Sequence, residues 1–90
     1  MESILCTNIP VQMIACTDTD GKMTPMRFRF QDKTGALTTI QISHILKSDQ
    51  KTNHFHTTFT CEAEVSGIKK IFELHYNYSV HAWSLNRIEL

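Results

Sequence analysis

Five histidines in ninety residues are a high density, and two of them, His54 and His56, are spaced for joint action. On a strand, residues two apart leave the same face, so both imidazoles could ligate one ion. A zinc site needs one or two further ligands. His75, on the polar face of a later strand, is the best placed, with Glu62 or Glu64 further along; Cys61 has the wrong parity. Without a third fixed ligand the spacing reads as surface histidines beside a polar loop, and neither metal nor cofactor is expected. His44 and His81 read as separate positions.

Cysteine chemistry requires a thiolate, and a thiolate at neutral pH requires an adjacent base or a positive environment. Nothing local to Cys16 or Cys61 supplies one. Cys61 falls between Phe59 and Ala63 on an inward face, where a free cysteine behaves as a small hydrophobe. Asp18 and Asp20 in DTDGKMTP lack the further carboxylates and terminal Glu of a calcium loop, and read as turn residues. No catalytic residue is therefore assigned, and the protein is not expected to be an enzyme.

A second constellation is basic. Arg27 and Arg29 share one strand face, and Lys69 and Lys70 follow the Ser66-Gly67 turn, so these four are the candidate nucleic-acid contacts. A stacking platform needs aromatics on the same exposed face as the cations, whereas Phe28 and Phe30 have the opposite parity. Cross-strand pairing with Glu62, Glu64 or Glu73 is the alternative use of the arginines. Nine Lys and Arg balance nine Asp and Glu, so the whole-chain charge names no partner.

The elements that must position these residues are strands. Eleven Thr, nine Ile and three Val stand against four Ala and six Leu, a bias towards extended backbone. Apolar residues alternate: Met26, Phe28 and Phe30 oppose Arg27, Arg29 and Gln31, and Phe55, Phe59, Cys61, Ala63 and Val65 oppose a wholly polar set of even positions. Asp18-Thr19-Asp20-Gly21, Asp32-Lys33-Thr34-Gly35 and Ser66-Gly67 read as turns. Six strands follow, over 9–17, 24–31, 36–46, 54–65, 68–78 and 81–88, with Ser48 to Asn53 as the longest polar connection and most mobile loop, or a short helix or turn. The expected fold is all-β: about six antiparallel strands in a meander forming a small barrel or strongly twisted sheet. Phe28, Phe30, Ile40, Ile42, Phe59, Phe72, Leu74 and Trp83 form the expected core.

Length and composition bound the rest. Ninety residues suit a single domain, 1–90, and 41% hydrophobic against 20% charged residues predicts a folded one. Three widely spaced cysteines, an acidic start interrupted by Asn8 and Pro10, and no apolar run of about 20 residues lead to an expected cytoplasmic location without a membrane span.

The stretch DGKMTPMRFRFQDKTG at 20–35, continued by IQISHIL, with IPV near the start, the FEL and Tyr spacing and the terminal Trp strand, resembles a set of short bacterial proteins of unknown function. The resemblance covers most of the chain, consists of turn and core residues, and implies a small β-barrel with no activity attached. His54 and His56 lie outside it. The expected function is a small cytoplasmic β-rich interaction or adaptor module without catalysis, its partner a protein or a second copy joined through an edge strand. Ile4, Leu5, Ile88 and Leu90 are candidates to extend such an edge. The alternative is a nucleic-acid-binding barrel using Arg27, Arg29, Lys69 and Lys70, whose phosphate contacts would weaken with salt.

Overall fold

The computed structural model describes residues 5–6, 8–32, 34–50 and 56–89. These form β1 (Leu5–Cys6), β2 (Ile9–Thr17), β3 (Met23–Gln31), β4 (Leu37–Gln41), β5 (His44–Gln50), β6 (His56–Val65), β7 (Ile68–Asn77), β8 (Ala82–Asn86) and β9 (Ile88–Glu89). All pairings are antiparallel. Seven strands make one strongly curled half-barrel sheet in the order β4-β3-β2-β8-β7-β6-β5, while β1 and β9 pair as a separate short ribbon. Among the described residues no helix is long and apolar enough to cross a membrane.

Two meanders, β2-β3-β4 and β5-β6-β7-β8, are zipped together by β2 against β8, with Ile9 opposite Leu85 and Val11 opposite Trp83. This leaves β4 and β5 as opposite edges of the sheet, although only Ile42 and Ser43 separate them in sequence. So short a link cannot span an open seven-stranded sheet, whose strands lie about 4.8 Å apart, so the sheet must curl. The link also ties the two halves: Ile42 N donates to Met26 O at 3.0 Å, and Ser43 N donates to Glu62 O at 2.8 Å. The single strand expected over 36–46 is thus two strands turning a corner. Its alternation runs through the corner because the backbone stays extended there, and periodicity does not register a bend.

A bulge makes the second correction. Ile14 pairs with Arg27 but Ala15 pairs with Pro25, so Met26 has no opposite number. Pro25 has no N–H to give a ladder, and an extra residue beside it shifts the parity of the strand. Pro25 is buried in consequence, whereas Met26, expected beside Phe28 and Phe30, is 44% exposed.

Turn chemistry follows the sequence closely. Asp18 Oδ1 accepts from the N–H groups of Asp20 and Lys22, both at 2.9 Å. Asp32 Oδ1 repeats this with Thr34 and Ala36, and Thr34 Oγ1 donates to it at 2.6 Å. Ser66 and Gly67 both take positive φ, 54° and 77°, the type I′ geometry that matches the twist of a tight hairpin. That turn sets the longest ladder, in which every residue of β6 faces one of β7.

The concave face buries Phe28, Phe30, Ile40, Phe59, Phe72 and Leu74 as expected, and adds Cys61, Ala63, Leu85 and Ile88; Ile42 and Trp83 are only partly covered. Phe28 meets Phe72 edge to face at 5.5 Å although β3 and β7 are not neighbours in the sheet, so the contact crosses the interior. Ile88, expected to extend an edge, is instead fully buried in this core, and β9 is occupied by β1. Ile4 and Leu90 lie outside the described residues, as do His54, Phe55 and residues 51–53 of the expected loop; its first residues, Ser48 to Gln50, belong to β5.

Two measurements check this account. Phe72→Ala is expected to cost about 3–5 kcal/mol in urea denaturation, because it empties the cross-barrel contact. Hydrogen bonds, Thr34's hydroxyl first, hold the Asp32 carboxyl below its ordinary pKa despite the opposing effect of desolvation. A lowered folded pKa stabilises the protein above the unfolded value, and that stabilisation fades as pH falls through the folded one. Asp32→Asn is therefore expected to lower the melting temperature at neutral pH and to flatten its decline below about pH 4.

Candidate functional site

The curl does not close completely. β4 covers β3 only from Arg27 to Gln31, so Met23 to Pro25 have no strand beside them on the side away from β2 among the described residues. Among the described residues β5, at the end of the sheet, pairs with β6 alone. These two free edges line one groove of about 370 Å³, with Lys22, Met23 and Thr24 on one wall, Ile45 to Ser48 on the other, and Phe59 between them. It runs into a wider mouth of about 500 Å³ that shares Lys22, Met23, Ser48 and Phe59 and adds Thr57, Tyr76 and Tyr78.

Each wall is placed by local chemistry. The Asp18 turn holds the backbone N–H of Lys22, which fixes the start of β3. On the other wall, Ile45 pairs with Cys61 and Lys47 with Thr60, so Leu46 is extruded as a bulge and stands 50% exposed. The mouth is a packed aromatic group: Tyr76 lies 4.9 Å from Trp83 and 5.0 Å, edge on, from Tyr78, and Trp83 lies 5.6 Å from Phe59. Both phenols are held, Tyr78 Oη to Thr57 Oγ1 at 2.7 Å and Tyr76 Oη to His81 Nδ1 at 3.0 Å. An aromatic surface with its polar ends satisfied offers apolar contact at little entropic cost. Lys22 and Lys47 are exposed on opposite walls and neither takes part in an ion pair among the described residues.

The four basic candidates lie elsewhere: Arg27 and Arg29 line a separate cavity of about 370 Å³ with Gln12 and Thr39, and Lys69 and Lys70 do not join them. Arg27 and Arg29 are exposed on the outer face of β3, where Arg29 Nε donates to Gln12 Oε1 at 2.7 Å. The carboxylates expected to pair with them are engaged differently: Glu62 with His44 at 3.2 Å and Lys69 at 4.0 Å, and Glu73 with His75 at 3.3 Å and Arg87 at 3.7 Å; Glu64 stands in register with Lys69. The reason is strand order, since β2 and β8 separate β3 from β7. Lys69 and Lys70 are successive on β7 and leave opposite faces, Lys69 opposite Glu64 and Lys70 opposite Ala63.

His56 and His75 are diagonal neighbours on the outer face, in register with Asn77 and Thr58 respectively. Among the described residues no group of three His, Cys, Asp or Glu is placed to hold a metal ion. Cys61 is fully buried, and burial pushes its thiol up to about 12; Cys16 is exposed on β2. Lys22, Met23, Leu46 and Lys47, the walls of the groove, carry no motif that distinguishes them in sequence. The spacing of Tyr76 and Tyr78, two apart, is a sequence signal that could have found the mouth.

Comparison with protein-family models, curated proteins and solved structures finds no match.

The thiols give a direct check on the site's burial. Carbamidomethylation of the native protein near pH 8, mapped by peptide mass spectrometry, is expected to modify Cys16 and to leave Cys61 unmodified until denaturant is added.

Proposed function

We propose that the protein is a small, non-catalytic interaction module that takes up an extended segment of a partner protein as an added strand on the free edge of β5. The observation that carries this reading is the pair of strand edges that no further described strand covers, lining one groove that runs into an aromatic mouth. A free edge presents a row of backbone N–H and C=O groups, and an added strand satisfies them while its alternate side chains enter neighbouring pockets. Met23 and the extruded Leu46 supply apolar contact on the two walls.

The nucleic-acid alternative draws less support, because Arg27, Arg29, Lys69 and Lys70 do not share one face and the aromatic group lies among the groove residues instead. The inertness of the buried Cys61 thiol favours a binding role over a catalytic one. On the same reading the protein works in the cytoplasm of a bacterium, a reducing compartment in which the free Cys16 and Cys61 persist.

Photo-crosslinking in cells tests the location. With p-benzoylphenylalanine in place of Leu46, an ultraviolet-dependent adduct with another protein is expected; the same group in place of Ile71, 58% exposed on the outer face, is expected to give none. An adduct at Ile71 and none at Leu46 would place the interaction surface on the convex side and sink the proposal.

A further inference from the structure

The groove is open to three kinds of occupant: a second copy of this chain, an apolar strand, or a strand of defined charge. Its electrostatics discriminate among them. Lys22 stands on the wall formed by the β2–β3 turn and Lys47 on the wall formed by β5, and among the described residues no carboxylate lines the narrow part of the groove between them. Among those residues the carboxylate that lines the continuous space is Asp20, in the wider mouth. Neither lysine has an ion-pair partner among the described residues, so both charges are available to whatever enters.

The same lysine disfavours one register of a second copy. Two β5 edges paired antiparallel about Lys47 would bring like charges opposite one another, and like charges at directly opposed positions destabilise a ladder, whereas pairing about Ser48 would set Lys47 opposite Asp49. A lysine and a bulge on an edge strand are also the devices by which proteins discourage indiscriminate edge-to-edge pairing. Here the bulge at Leu46 and the charge of Lys47 sit side by side, which discourages indiscriminate pairing while leaving the edge open to a strand of complementary charge.

Resting on the strand-acceptor reading above, we infer that the segment taken up by the groove is an acidic extended peptide, its carboxylates meeting Lys22 and Lys47 and an apolar side chain between them packing over Met23, Leu46 and Phe59. The alternation of such a peptide matches the site. Residues directed into the groove meet its apolar lining, and those directed to the rim meet the two ammonium groups, which as exposed charges act on selectivity and encounter rate as much as on affinity.

Panning a phage-displayed library of random short peptides against the intact protein separates the two levels of this claim. The expected result is enrichment of peptides in which Asp or Glu alternates with apolar residues. Synthetic representatives are expected to protect amides of His44–Gln50 from hydrogen exchange. They are also expected to lose about tenfold or more in affinity when Lys22→Glu and Lys47→Glu are combined, and to recover it when their acids are exchanged for lysine. Peptides that protect β5 but show no acidic preference, or that bind the double variant equally well, would overturn the acidic assignment and leave the strand-acceptor reading standing. Failure to enrich any peptide that protects β5, or a solution dimer in which β5 is the protected surface, would overturn both.

Discussion

A two-residue corner governs this structure. Ile42 and Ser43 connect the strands that end up on opposite edges of a seven-stranded sheet, and each gives its backbone N–H to a different half, Ile42 to Met26 on β3 and Ser43 to Glu62 on β6. Were the link long, the sheet could lie open and merely twisted. Being short, it forces a curl, and the curl brings Phe28 of β3 onto Phe72 of β7 across the interior. The core is thereby enclosed by a single sheet, which suits a chain of ninety residues with few positions to spare for a second layer.

The same constraint creates the groove. At the corner the edges are held together by hydrogen bonds, but away from it β4 ends its cover of β3 at Arg27, and the first residues of β3 line a groove with β5 in which no described strand intervenes. The bulges at Met26 and Leu46 belong to this geometry: each adds a residue to one strand only, bending and twisting it locally, and each turns an apolar side chain outward. The open part of the half-barrel therefore combines unpaired backbone, outward apolar groups and an aromatic mouth. These coincide because closure is complete at one place and incomplete at another.

The outer face behaves differently. Its charges form local pairs along the ladder of β6 and β7, His44 and Lys69 with Glu62, and His75 and Arg87 with Glu73, all exposed or half-exposed. Such pairs contribute at most about 1 kcal/mol each and keep the convex side wetted. Histidines that look like ligands when counted in sequence have other partners: His75 is beside Glu73 on this face, and His81, exposed and at positive φ, meets the Tyr76 hydroxyl.

What the sequence determined by itself was local. Alternation identified β2 to the residue and the polar and apolar faces of β6 and β7, because side-chain direction on a strand depends only on position. The Asp18 and Asp32 turns and the Ser66-Gly67 hairpin were legible because side-chain carboxylates and permitted φ values act within a few residues. Six of the eight core residues followed from the same parity. The corner within 36–46, the loss of parity at Pro25 and the partners of Arg29 were decided by tertiary structure. A bend, a bulge and the order of strands all depend on which distant backbone groups are available to pair. The groove belongs to that second class. Lys22 and Lys47 are twenty-five positions apart with no shared motif, and they line one groove only because a short corner curls the sheet and leaves one edge of Met23–Pro25 and one edge of β5 without a neighbouring strand among the described residues.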